Sequence, residues 1–208
     1  MKKGIIAALC FIVIGCSMVS GTFALPDLDK VFADLTGMLG HALGLPEAGG
    51  AEVDVALVTD TASGQLYPGG TATRSVYVKN QGAREVCYRL AYAVQYDAQS
   101  WDKLTLRFAA DEGYIEHDWQ EISISGVPYR MKVFTYDSAL PAGQSSGGVS
   151  LTITMDRNIT SEQIARYRSD FLQMQVLAID PVPFREKGYT TAQAALDIAL
   201  PLATLNPF

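Results

Sequence analysis

Val86, Tyr88, Leu90, Tyr92, Val94 and Tyr96 occupy six alternate positions of a single run. A strict period of two puts all six side chains on one face of an extended strand, whereas residues sharing a helix face recur at three and four. Upstream, Pro68 and Gly69 carry turn chemistry, and Val76 and Val78 then alternate with Ser75, Tyr77 and Lys79. Asn80-Gln81-Gly82 is suited to reversing the chain. The stretch from Leu66 to Tyr96 is therefore expected to be a long β-hairpin whose aromatic face covers a core. It contains no obvious chemistry.

The same texture extends from Ala51 to the end. Val53, Val55 and Leu57 alternate with acids and small residues, and Thr59 to Gly64 reads as a turn. Further strands are expected over Leu104 to Phe108, Trp119 to Ile124 and Val127 to Tyr136, with Ser125-Gly126 a tight turn between the last two. Residues 137–148 read as a loop, after which Val149, Leu151, Ile153 and Met155 alternate with Ser150, Thr152 and Thr154. Thr160 and Gln163 have capping-box spacing for a helix ending near Asp170. A strand from Phe171 to Ile179 is broken by Asp180-Pro181-Val182-Pro183, and Thr190 with Gln193 caps a last helix from Thr191 to about Leu200. Strands of this length between turn signals, with helices as insertions, predict a mainly β fold. The expected architecture is an antiparallel β-sandwich or jelly roll spanning 51–208, preceded by an N-terminal leader helix.

The leader occupies residues 1–24. Lys2 and Lys3 precede an apolar run from Ile5 to about Val19, and Thr22 and Ala24 supply the small residues for cleavage between Ala24 and Leu25. Two other fates fit the same letters. Val13-Ile14-Gly15-Cys16 is a loose lipobox that would lipidate Cys16, and a retained leader would be an anchor. Either would bring stable membrane association; cleavage at Ala24 would not. Cleavage also removes Cys10 and Cys16, so Cys87 remains as a single thiol on the strand parity opposite the aromatic face, where a small packed residue is expected. Lys2 and Lys3 are the leader's only charges, so the mature part keeps 14 of the 16 cations against 22 acids, a formal −8. An acidic exported chain repels nucleic acid and anionic membrane surfaces.

Residues 25–50 read as an arm and hinge. Leu28, Val31, Phe32, Leu35, Met38, Leu39 and Ala42 recur at three and four, predicting an amphipathic helix from near Asp27. Gly37, Gly40 and Gly44 each cost such a helix about 1 kcal/mol relative to alanine. A helix this marginal needs its apolar face covered, by its own domain or by another subunit. Leu28, Val31, Phe32 and Leu35 are the candidate subunit contact. Pro46 to Gly50 is the hinge.

Candidate chemistry is thin. Gly143-Gln144-Ser145-Ser146-Gly147 spells G-x-S-x-G, but a nucleophile elbow needs a strand before it and a helix after it, with the histidine following. Here a loop precedes and a strand follows, and both His41 and His117 come before Ser145. Asp111, Glu112, Glu116 and Asp118 cluster around His117, which leaves calcium open and offers no zinc pattern. No phosphate loop or dinucleotide fingerprint occurs. No cofactor and no enzymatic activity are expected.

Ser20-Gly21-Thr22-Phe23-Ala24, the Ala51 to Leu57 strand, and Leu66-Tyr67-Pro68-Gly69 leading to Asn80-Gln81-Gly82 resemble the TasA/camelysin group of exported Gram-positive proteins. The Phe171 to Ile179 strand with Gly188-Tyr189-Thr190-Thr191 and a helix after it fits the closing part of such domains. The resemblance implies processing by the signal peptidase SipW and a jelly-roll subunit of an extracellular biofilm-matrix fibre, in which one subunit's N-terminal segment completes its neighbour's sheet. Two functions are expected from these readings. The first is a secreted or cell-surface structural protein that associates with itself. The alternative is a surface-attached binding module whose Tyr92, Tyr96 and Trp101 contact a glycan or a protein partner.

Overall fold

A computed structural model describes residues 10–11, 53–60, 63–168 and 170–208. Cleavage at Ala24 and Leu25, the helical arm with Leu28, Val31, Phe32 and Leu35, and the hinge all lie outside the described residues, as does the expected leader helix except at Cys10–Phe11. There the backbone is extended, forming strand β1.

The other strands are β2 (Val55–Thr59), β3 (Ser63–Gly64), β4 (Thr71–Asn80), β5 (Cys87–Gln95), β6 (Leu104–Ala110), β7 (Tyr114–Glu116), β8 (Gln120–Ile124), β9 (Val127–Tyr136), β10 (Ser145–Met155) and β11 (Leu172–Ile179). They form two antiparallel sheets, so the expected sandwich is present. Sheet A runs β1-β11-β5-β9-β7, with β8 pairing further along the same edge of β9. Sheet B runs β2-β4-β10-β6, with β3 on β4.

The expected hairpin is corrected by this order. β4 pairs with β2 and β10 in sheet B, whereas β5 pairs with β11 and β9 in sheet A. Residues 81–86 cross from one sheet to the other. Alternation reports that a strand has an apolar face and says nothing of the strand's neighbours. Asn80 anchors the crossing: its side-chain amide donates to the carbonyls of Arg84 (2.7 Å) and Leu140 (3.0 Å), and its carbonyl accepts from the Gly82 N–H (3.0 Å). The reversal was legible in the residues; its partners were not.

The core lies between the sheets. Leu90, Tyr92 and Val94 from β5 meet Val76 from β4 and Val149, Leu151 and Ile153 from β10. Val86 and Tyr88 pack with Val55, Val78 and Val176 in a second cluster. Each such buried side chain contributes about 1.5–3 kcal/mol before ordering costs. The outward face of sheet B is polar, with cross-strand hydroxyl pairs Thr71–Thr154 (3.0 Å), Thr73–Thr152 (2.9 Å) and Ser75–Ser150 (2.5 Å).

Sheet A is covered on both faces. Cys87, Arg89, Ala91, Ala93 and Gln95, the off-phase residues of β5, are as buried as the aromatic set. α1 (Ser161–Ile164) precedes β11, and their cover is the C-terminal segment that follows it, with α2 (Val182–Arg185) and α3 (Ala192–Ala199). Leu196 and Leu200 pack on Cys87, Leu177 and Ile179, while Leu202, Leu205 and Phe208 reach Ala91, Met131 and Val133. Small side chains at Ala91 and Ala93 leave room for this second layer.

Several boundaries move. α1 has the predicted capping box between Thr160 and Gln163 but spans four residues instead of reaching Asp170. The cap of α3 is Thr191, which accepts from the Ala194 N–H, one residue after the expected Thr190. β10 begins at Ser145, inside the expected loop, and β3, β7 and α2 appear where no regular element was expected. Ser125 and Gly126 form the expected tight turn, with φ of 51° and 80°.

Candidate functional site

At one side of the sandwich, β11 is the last long strand of sheet A, with only the two-residue β1 beyond it among the described residues. Among the described residues its outer edge receives β1 at two positions, Cys10 opposite Ala178 and Phe11 opposite Leu177. Toward Leu172, no other described strand pairs on that edge. An unpaired strand edge offers a row of backbone donors and acceptors to another strand. The residues that dock there come from the N-terminal end of the chain.

At the opposite side, rings close the gap between β6 of sheet B and the β8–β9 edge of sheet A. Trp101 meets Tyr96 (5.4 Å between centroids) and Trp119 (6.0 Å) edge-on, and Phe108 meets Trp119 (5.8 Å) and Tyr92 (5.1 Å). The Arg130 guanidinium lies 4.1 Å from the Tyr96 ring centroid and 5.0 Å from that of Trp101. Lys132 Nζ sits 5.7 Å from the Trp119 ring and 2.6 Å from Glu116. Of the three rings expected to contact a partner, Tyr92 is buried and donates to the Val149 carbonyl (3.2 Å), while Tyr96 and Trp101 are half-buried within this seal. Burial holds the Tyr92 phenol well above the ordinary tyrosine range. Trp119, which was not singled out as a contact, is the most open ring of the group at 38 %.

The G-x-S-x-G residues lie at the start of β10. Ser145 pairs with Lys79, and a register shift follows before Gly148. Ser146 Oγ accepts from the Val78 N–H (3.0 Å) and sits 3.0 Å from the Tyr114 hydroxyl, which in turn lies 2.7 Å from that of Tyr88. Burial raises the pKa of both phenols, so neither is a base near neutrality. His117 instead hydrogen-bonds Thr135 on sheet A. The acidic cluster is likewise engaged: Asp111 accepts from the Gly148 N–H (2.7 Å) and Glu116 pairs with Lys132. Among the described residues no three histidine, cysteine or carboxylate side chains gather as a metal site.

The sequence reading passed over Arg89. Its side chain is completely buried on the outward face of β5, where it donates to the Leu200 carbonyl and the Asp197 carboxylate of the C-terminal segment. Its Nε donates to Thr135 Oγ1 (3.2 Å), and that hydroxyl lies 2.8 Å from His117 Nε2. The signal was available: one cation inside an otherwise uncharged nine-residue strand must find partners wherever the strand is buried. Nearby, Gln175 is 1 % exposed and neither atom of its amide has a hydrogen-bond partner. No family model matches the chain, and no curated protein matches it.

Proposed function

We propose that the protein is an exported structural subunit that associates with its own copies, the outer edge of β11 receiving a strand from a neighbour. The observation that carries this reading is the pairing of Cys10–Phe11 with Leu177 and Ala178, because it puts N-terminal backbone on an edge that leader removal would vacate. The resemblance to TasA/camelysin proteins points the same way, as does an acidic β domain in which Ser146 bonds Val78 and Tyr114 while His117 bonds Thr135. SipW-type processing and a biofilm-matrix location belong to this proposal. The test is the chain beginning at Leu25, purified and followed by light scattering and electron microscopy across concentration and pH. Growth into fibres or large oligomers is expected; a monomer under every condition would reject the reading.

A second reading, a binding module for a glycan or protein partner, draws on the partial exposure of Trp119 beside Lys132 and Arg130. Binding to cell-wall glycans or surface proteins that is lost in Trp119→Ala, with the fold intact, would favour it over self-association.

A further inference from the structure

Asparagine stands at three positions of the chain, 80, 158 and 206. Asn80 is fully buried and is followed by Gln81-Gly82, and Asn206 is followed by Pro207-Phe208. Asn158-Ile159-Thr160 alone spells N-x-T without a central proline, the pattern on which exported proteins carry N-linked glycans. Its use depends on where the fold puts the three residues.

β10 ends at Met155, and residues 156–159 turn the chain toward α1. The Ile159 N–H donates to the Asp156 carbonyl (3.2 Å), and the Asn158 N–H donates to the Asp156 carboxylate (2.6 Å). Asp156 is itself fixed, its N–H donating to the Lys103 carbonyl (2.8 Å). Arg157 and Asn158 are therefore the central residues of a tight turn, and both are exposed. The residues after them are committed elsewhere. Ile159 is buried in the cluster that holds Met155, Phe171 and Leu172, and the Thr160 hydroxyl caps α1 by accepting from the Gln163 N–H (3.2 Å). The Asn158 side-chain amide has no hydrogen-bond partner among the described residues, although its backbone is held.

We propose that Asn158 is the acceptor of an N-linked glycan, transferred outside the membrane from a lipid-linked diphosphate sugar. The site rests on the export part of the function proposed above. In the transfer, Asn158 Nδ2 attacks the anomeric carbon of the sugar, and the new C–N bond forms as the bond from that carbon to the diphosphate oxygen breaks. The lipid diphosphate leaves with the electron pair, and Nδ2 gives up one proton to a carboxylate of the transferring enzyme; nothing is oxidised or reduced. The pattern requires a hydroxyl two residues on, and in the folded chain that hydroxyl is engaged by Gln163 while Ile159 is locked in the core. Transfer therefore belongs to the emerging chain, before α1 closes. Folding then leaves the modified amide at an exposed turn, where a bulky hydrophilic group meets solvent and displaces no contact of the core.

Mass spectrometry of the protein collected outside the cells that make it, intact and as fragmented peptides, tests the site. A mass above that of the polypeptide is expected, and fragmentation should place it on Asn158. Asn158→Gln alters an exposed side chain, so it should abolish the added mass with the melting temperature unchanged. Thr160→Ser keeps both the hydroxyl and the cap of α1 and should retain the modification, whereas Thr160→Ala should lose it. Exported protein with a bare Asn158 would overturn the proposal and leave the export reading standing. Added mass that persists in Asn158→Gln would overturn it as well, by assigning the modification to another residue. A chain that never leaves the cell would instead refute export, and the site would fall with it.

Discussion

Cys87 shows how a side chain is governed by its layer. It points away from the aromatic face, as its parity predicts, and is buried under the C-terminal cover at 1 % exposure. Burial, only partly offset by Arg185, pushes its thiol up to about 11. Native protein should therefore fail to react with a disulfide reagent at about pH 8 and react fully once unfolded in urea. The raised value keeps the folded state favoured below the unfolded thiol pKa and removes that contribution as pH rises toward about 11. Gln175 is the opposite case, a polar group in the wrong medium. Gln175→Met keeps the length and removes the unpartnered amide, so urea unfolding should show a gain of about 1–2 kcal/mol. Neither environment is legible from the residue alone, because β11 and β5 read as half-buried until the second layer is known.

Local chemistry set the elements where it involved residues close in sequence. Ser125 and Gly126 sit at positive φ between β8 and β9, the backbone of a two-residue hairpin that favours Asn-Gly. Ser125→Asn should raise the unfolding midpoint slightly, by about 0.5 kcal/mol, and Gly126→Val should lower it by about 1–2 kcal/mol. The capping box of α1 was readable for the same reason, since both hydrogen bonds close within four residues. The four-residue length of α1 was not, because just beyond it the side chain of the distant Gln95 takes up the Arg166 carbonyl and the Arg168 N–H, groups a continuing helix would use. In α3 the decisive contact is long-range. Leu196 is fully buried on Leu177 and Cys87, so Leu196→Ala should cost about 2–4 kcal/mol in urea unfolding and free the C-terminal segment to exchange.

At the scale of the whole molecule, the two sides of the sandwich are treated differently. One is closed by Tyr96, Trp101, Phe108 and Trp119 with Arg130 and Lys132, and the other is the β11 edge, covered among the described residues by the two-residue β1. Self-association through that edge predicts that Gln173→Lys, a cation on the edge strand itself, abolishes assembly of the Leu25 chain by light scattering while leaving its melting temperature nearly unchanged. Assembly that is indifferent to this change would place the contact elsewhere. The amino-acid order by itself determined that the chain is β, which side chains of β4, β5 and β10 face a core, and where Ser125-Gly126 and Asn80-Gln81-Gly82 turn it, because these depend on a period of two and on φ preferences a few residues wide. Only the tertiary structure decided that β4 and β5 lie in different sheets, that Arg89 meets Asp197 more than a hundred residues away, and that the off-phase side of β5 is buried. Strand partners and second layers are chosen by packing across the chain, and a periodic pattern carries no record of which distant surface will cover it.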